Sequence, residues 1–127
     1  MSDSSTPSIL AVEDNSETQL LLNHLLKSSF DVVVVSGVDE ALKAVGEQSF
    51  DAFLLDINLS EEQTGTDLLH QLRNQEGMEE TPAVALTAYA MPGDREDFLK
   101  SGFDQYVSKP FTRADLTSAV EAALDAR

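Results

Sequence analysis

The chain has 127 residues, enough for one domain with a single core and too few for two. Against 8 Lys+Arg stand 23 Asp+Glu, a formal net charge of −15 that repels nucleic acid and anionic membrane surfaces at long range. With no cysteine, thiolate catalysis, disulfides and Cys-ligated zinc or iron–sulfur sites are excluded, and oxygen ligands are what remain for a metal.

Residues 1–8, MSDSSTPS, lack the basic and apolar regions of a signal peptide and are read as a disordered tail, with the domain over 9–127. No apolar run approaches the ~20 residues of a membrane span. The expectation is a soluble cytoplasmic protein with no direct contact to membrane or nucleic acid. Most of its acids, among them Glu61, Glu62, Glu79, Glu80 and Glu121, fall in loops or on polar helix faces and read as solvated surface.

The first apolar run, ILAV at 9–12, predicts a strand closing in Glu13-Asp14. In the helix after it, Thr18, Leu21, Leu22 and Leu25 share a stripe predicted to face the sheet, while Leu20 points nearly opposite at about 100° per residue. VVVV at 32–35 is the second strand, and Ser36 with Asp39 matches a capping box opening the next helix. FLL at 53–55 is the third strand. It ends in Asp56, a charge where an apolar core should be closing, and Thr64 with Asp67 caps the helix beyond. AVAL at 83–86 ends in Thr87, and Pro92 suits the first turn of a fourth helix. Tyr106-Val107 is followed by Lys109-Pro110, and Thr112 with Asp115 opens the last helix.

Five strands alternating with five helices form an α/β chain of (βα)5 type. Strands apolar throughout, rather than alternating, are buried on both faces, so the sheet is parallel and covered by helices on each side. Right-handed crossovers make it doubly wound, with ligands bound beyond the carboxyl ends of the strands. At those ends, with the first strand central, Glu13, Asp14, Asp56, Thr87 and Lys109 converge on one crevice.

Three carboxylates about 5 Å apart repel by roughly 3 kcal/mol per pair at an effective dielectric near 20. One lysine offsets part of this and leaves −2, so a divalent cation completes the neutralisation or a carboxylate takes a proton. Magnesium suits the site better than calcium, since it accepts few carboxylates and leaves room for a phosphoryl oxygen. An aspartate in such a site is a candidate nucleophile forming an acyl phosphate, with metal, ammonium and hydroxyl stabilising the transferred group. Singly, each residue has an ordinary role: Glu13, Asp14 and Asn15 as helix caps, Asp56 and Lys109-Pro110 as turns, Thr87 as a strand former. Their joint placement carries the chemistry. His24 and His70 lie within helices without a second ligand near in sequence and read as surface histidines.

Val12-Glu13-Asp14-Asn15, Leu54-Leu55-Asp56-Ile57-Asn58, Leu86-Thr87-Ala88 and Val107-Ser108-Lys109-Pro110-Phe111 resemble, in order and spacing, the receiver domains of two-component response regulators, over about 9–124. The resemblance implies a flavodoxin-like sheet of strand order 2-1-3-4-5. It makes Asp56 the phosphoacceptor and assigns Mg2+ to Glu13, Asp14, Asp56 and the backbone carbonyl of Asn58. It assigns phosphoryl contacts to Thr87 and Lys109, a switch to Thr87 and Tyr106, and a cis peptide to Lys109-Pro110. Ala88, Tyr89 and Pro110 would flank the site. It further implies a histidine kinase or histidine phosphotransfer protein as donor, docking on the first helix at Leu20, and a downstream protein target. Phosphotransfer and autodephosphorylation would be magnesium-dependent and self-catalysed, without enzyme turnover.

The segment Thr87-Ala88-Tyr89-Ala90-Met91-Pro92-Gly93-Asp94-Arg95 looks most like receivers associated with hybrid histidine kinases, so the chain is either a single-domain regulator or a domain of a longer protein. Two features depart from the family pattern: Leu59-Ser60 stands where Met-Pro is usual, and the loop to Gly65 is one residue longer. A phosphatase of the haloacid dehalogenase type also forms an aspartyl phosphate, but it wants an acid where this chain has Asn58, whose amide cannot do that proton's work. A flavodoxin-like flavin binder would place its phosphate against Glu13-Asp14, which repel it.

Overall fold

The computed structural model describes residues 6–57, 64–87 and 94–125, excepting the side chains of 94, 95 and 98. Strands and helices alternate: β1 (Ser8–Val12), α1 (Ser16–Leu26), β2 (Asp31–Val35), α2 (Val38–Glu47), β3 (Ala52–Asp56), α3 (Gly65–Arg73), β4 (Ala83–Thr87), α4 (Asp94–Lys100), β5 (Gln105–Ser108) and α5 (Arg113–Asp125). All four strand pairings are parallel, and the sheet order is β2-β1-β3-β4-β5.

The doubly apolar strands have the two cores they require. Leu10, Val12, Phe53, Leu55 and Ala85 face Ala41 and Val45 of α2 and Leu68, Leu69 and Leu72 of α3. Their alternates, Ile9, Ala11, Leu54, Val84 and Leu86, face Leu22 and Leu26 of α1 and Leu116, Val120 and Ala123 of α5. β3 and β4 are buried at every residue, whereas β2, on an edge, is only half-buried along its valines.

The N-terminal boundary moves. Ser8, assigned to the tail by composition, opens β1, and its amide donates to Asp51 Oδ2 at 2.7 Å while its carbonyl accepts from the Asp51 amide at 2.7 Å. The Pro7 carbonyl also accepts from Asp31, so the polar composition of 6–8 concealed backbone that completes the ladder.

The caps of α3 and α5 form as the sequence predicts: in each, Thr64 or Thr112 exchanges bonds with the acid three residues on, Asp67 or Asp115. The Ser36-Asp39 box does not form. Gly37 is the cap residue of α2, without a side-chain bond, and Ser36 turns its amide and hydroxyl to the carboxylate of Glu40, whose longer side chain reaches back a full turn. Pro92 lies outside the described residues.

The α1 stripe is also displaced. Leu22 and Leu26 are buried, Thr18 and Leu25 half-buried, but Leu21 is 43% exposed, because the helix rests on the sheet through its Leu22/Leu26 ridge. Leu20 projects to solvent as expected, at 73% exposure.

Candidate functional site

The carboxyl ends of β1, β3 and β4 and the segment after β5 bring Glu13, Asp14, Asp56, Thr87 and Lys109 to the same edge of the sheet. Register does this: Val12 pairs with Leu55, Asp56 with Leu86 and Thr87 with Ser108, so Asp56 and Thr87 sit at the last paired positions, Glu13 and Lys109 one step past them and Asp14 two steps past. Glu13, Asp56 and Thr87 are buried, and Asp14 is exposed at the mouth.

Lys109 reaches inward from the end of β5. Its amide donates to the Thr87 carbonyl at 2.8 Å, fixing its backbone on β4, and its Nζ donates to Glu13 Oε1 at 2.8 Å and Asp56 Oδ2 at 3.2 Å. The Lys109-Pro110 peptide is cis, as the resemblance implied, and Pro110 lies exposed beside the site. The second oxygen of Glu13, Oε2, accepts from the Asn15 amide at 3.1 Å. Asn15 itself caps α1 by accepting from the Thr18 amide at 3.0 Å, so the capping role and the site coexist in one turn.

Carboxylate oxygens of Glu13, Asp14 and Asp56 lie within 4.8 Å of one another. Burial raises the Glu13 carboxyl from 4.5 to about 7, and the neighbouring Asp56 adds to the rise against the lowering hydrogen bond from Lys109. For Lys109, burial opposes the charged form, but the hydrogen bond to Glu13 and the charges of Asp56 and Glu13 outweigh it, and its pKa is raised. These are the two responses expected of carboxylates crowded around one ammonium: a proton held on an acid and a cation held charged. A clustered, oxygen-only set with one exposed member fits a hard divalent cation that keeps some waters.

Tyr106 is half-buried on β5, where it packs against the core on the α2/α3 side and lines a cleft of about 640 Å³ between β5 and α5 together with Ser108, Ser118 and Ala122. Asn58, Ala88 and Tyr89 lie outside the described residues, as do Leu59 and Ser60.

Two residues at the site were not assigned a role from sequence. Gln19 Nε2 donates to the Glu13 carbonyl at 2.6 Å, tethering the peptide between the two acids to the second turn of α1. Only the position of Gln19, on the same end of the helix as its cap, hinted at this. Gly65 donates its amide to the Ile57 carbonyl at 2.9 Å and lies directly against Asp56. Its signal was a glycine just after a helix-capping threonine.

The sequence pattern described as "Response regulator receiver domain" matches residues 9–121. Over 120 residues, 92% of this chain, the protein is 32% identical to the sensor protein GacS of Pseudomonas syringae pv. syringae, of whose length the match spans only 13%. It is 33% identical over 108 residues to the polar-differentiation response regulator DivK of Brucella ovis, covering 84% of this chain and 87% of that protein. Among solved structures, the receiver domain of a sensor histidine kinase from Pseudomonas aeruginosa PAO1 superposes with a TM-score of 0.81 at 34% identity, covering 95% of this chain and 99% of that one. That structure is described with a magnesium ion coordinated in its active site cleft. With its sheet order, its strand-end cluster and this match over nearly its whole length, the chain belongs to the response regulator receiver domain family.

Proposed function

We propose that this receiver takes a phosphoryl group on Asp56 from a phosphohistidine donor, a histidine kinase or histidine phosphotransfer protein. The observation that carries the reading is the burial of Asp56 beside Glu13 and within hydrogen-bonding distance of Lys109 at the carboxyl end of a parallel sheet. A carboxylate oxygen of Asp56 attacks phosphorus as the bond from phosphorus to the donor nitrogen breaks. The Lys109 ammonium and the Thr87 hydroxyl stabilise the charge on the transferred oxygens. Glu13, Asp14, Asp56 and the Asn58 carbonyl would hold Mg2+, which when bound neutralises carboxylate and phosphoryl charge. Transfer and hydrolysis of the acyl phosphate are then properties of this one site, with no separate catalytic residue.

Phosphorylation adds roughly −1.5 to −2 charge and new acceptor oxygens, toward which Thr87 turns. Tyr106 moves into the space this leaves and reshapes the surface of α4, β5 and α5, where a downstream protein binds. Leu20, exposed on α1, serves the donor as a docking contact. The strongly acidic composition supports output through protein rather than nucleic acid, and the folded domain begins just ahead of β1. Incubation with acetyl phosphate and magnesium followed by mass spectrometry tests the reading: an adduct of about 80 Da on the peptide containing Asp56 is expected, and none with Asp56→Asn. An adduct that persists unchanged in Asp56→Asn refutes the assignment.

A further inference from the structure

β3 ends at Asp56, and the chain returns to that residue at Gly65, the first residue of α3. The Gly65 amide donates to the Ile57 carbonyl at 2.9 Å, while the Ile57 amide donates to the Leu86 carbonyl of β4 at 2.9 Å. The backbone leaving Asp56 is therefore gripped from two sides. On the α3 side no room remains: a β-carbon on Gly65 would stand inside contact distance of the Asp56 carbonyl oxygen and 3.0 Å from both the Asp56 carbonyl carbon and the Ile57 Cα. These neighbours are backbone and cannot swing aside like the end of a flexible side chain.

Nor can α3 withdraw easily. The reciprocal Thr64-Asp67 cap fixes its first turn, and Leu68, Leu69 and Leu72 are fully buried against the sheet. A side chain at position 65 would thus push on the Asp56-Ile57 peptide and, through it, on the carboxylate. Gly46, inside α2, is the contrast: a β-carbon there meets nothing within 4 Å.

We propose that Gly65 is a positioning residue for phosphoryl acceptance: its lack of a side chain lets the first turn of α3 lie on the Asp56 peptide and sets the carboxylate against Lys109. The inference rests on Asp56 being the phosphoacceptor. If Gly65 sets Asp56 in this way, the bond from its amide to the Ile57 carbonyl joins the two ends of the intervening loop, and the length of that loop should matter little to the site.

The test compares phosphorylation by acetyl phosphate in wild type, Gly65→Ala, Gly46→Ala and Leu72→Ala, each with its urea midpoint. Displacing a reacting group by about 1 Å is enough to lose on the order of 100-fold in rate, so Gly65→Ala should lower the maximal rate by about 10- to 100-fold with little change in half-saturating donor. Gly46→Ala should keep the wild-type rate. Leu72→Ala, destabilising α3 away from the site, should lose stability and keep the rate. A rate in Gly65→Ala within about twofold of wild type overturns the inference, as does an equal loss in Leu72→Ala. Should Gly65→Ala not fold, a glycine inserted after Gln63 decides: an unchanged rate supports closure at Gly65, and a large loss shows that the loop sets Asp56 instead. Wild type that takes no phosphoryl group on Asp56 overturns the phosphoacceptor reading itself, an outcome distinct from failure of the Gly65 variant alone.

Discussion

Lys109 sits closer to Glu13, at 2.8 Å, than to Asp56, at 3.2 Å. The ammonium is thus shared, with the longer of the two bonds going to Asp56. A buried Glu13, held by Lys109 and the Asn15 amide, acts as the fixed post from which the lysine reaches Asp56.

This arrangement makes metal-free stability depend on pH in a definite direction. Glu13 titrates at about 7 in the folded chain against 4.5 ordinarily, so between those values the folded state holds the proton more tightly than the unfolded one. The associated stability is fully present below pH 4.5 and is lost as pH rises through about 7. Lys109, also raised, loses its contribution only in the alkaline range. In a chelator, the urea midpoint of wild type relative to Glu13→Gln should fall between pH 5 and pH 8, and a constant difference would contradict it. Magnesium, competing with that proton, should bind more tightly as pH rises toward 7 and then level off.

Asp56→Asn should abolish acyl phosphate formation while stability holds or rises, because one of three crowded carboxylates is removed and Lys109 retains Glu13. The Glu13 carboxyl should titrate lower in this variant, since Asp56 raises it in wild type. Carboxyl NMR titration and urea unfolding read the two effects. A large loss of stability would mean that Asp56 is a structural partner of Lys109 rather than a charge held in reserve.

The core and the main site were legible because each rests on a simple constraint. ILAV and FLL had to be buried on both faces, which forced a parallel sheet, and a parallel sheet puts Asp56, Thr87 and Lys109 at one edge. What escaped depended on reach or rotation. Nothing local distinguishes Glu40 from Asp39 as the partner of Ser36; only the distance across one turn does. Leu21 and Leu22 are identical in type, and which one meets the sheet depends on how the helix is rolled against β2 and α5. Gly65 was visible as a helix-start glycine, but its closeness to Asp56 arises only when α3 is laid on the sheet.

At the opposite end of the sheet, Arg73 binds the turns ahead of β4 and β5. Its guanidinium donates to the Thr81 carbonyl at 2.8 and 3.2 Å and to the Gly102 carbonyl at 2.7 Å, and it pairs with Asp104, whose Oδ2 accepts from the Ala83 amide. Arg73→Ala should destabilise by about 2–4 kcal/mol through the lost charge-assisted bonds, and lysine should not rescue it because one ammonium cannot span the fork. The phosphorylation rate should stay near wild type. Urea unfolding beside an acetyl phosphate assay checks both, and a stability loss under about 0.5 kcal/mol would show that water replaces the bonds.

Coupling from the site to the α4-β5-α5 surface should be visible with beryllofluoride, an acyl phosphate mimic. Amide shifts are expected at Tyr106, at Ser118 and Ala122 along the adjoining cleft, and through residues 96–100, and Thr87→Ala should suppress them while leaving phosphorylation measurable. Shifts confined to Glu13, Asp14, Asp56 and Lys109 would mean that the site fills without switching the surface.

Leu20 offers the test that separates docking from chemistry. It is 73% exposed on the second turn of α1, and Gln19, its neighbour in sequence, bonds the Glu13 carbonyl, so a donor helix docked on Leu20 would lie beside the acidic mouth. Burying a leucine against such a helix is worth about 1.5–3 kcal/mol, or roughly 10- to 150-fold in affinity. Leu20→Asp should slow transfer from the cognate phosphodonor protein by at least about tenfold and leave phosphorylation by acetyl phosphate unchanged, since the small donor needs no surface. The chain already carries −15, so charge repulsion must be separated from lost packing; Leu20→Lys should show a similar loss if the contact is apolar. Leu21→Asp, at a residue more than half covered, should lose stability as well as transfer. Equal losses with both donors in Leu20→Asp would make the residue structural, and transfer at the wild-type rate from the protein donor would remove Leu20 from the docking surface.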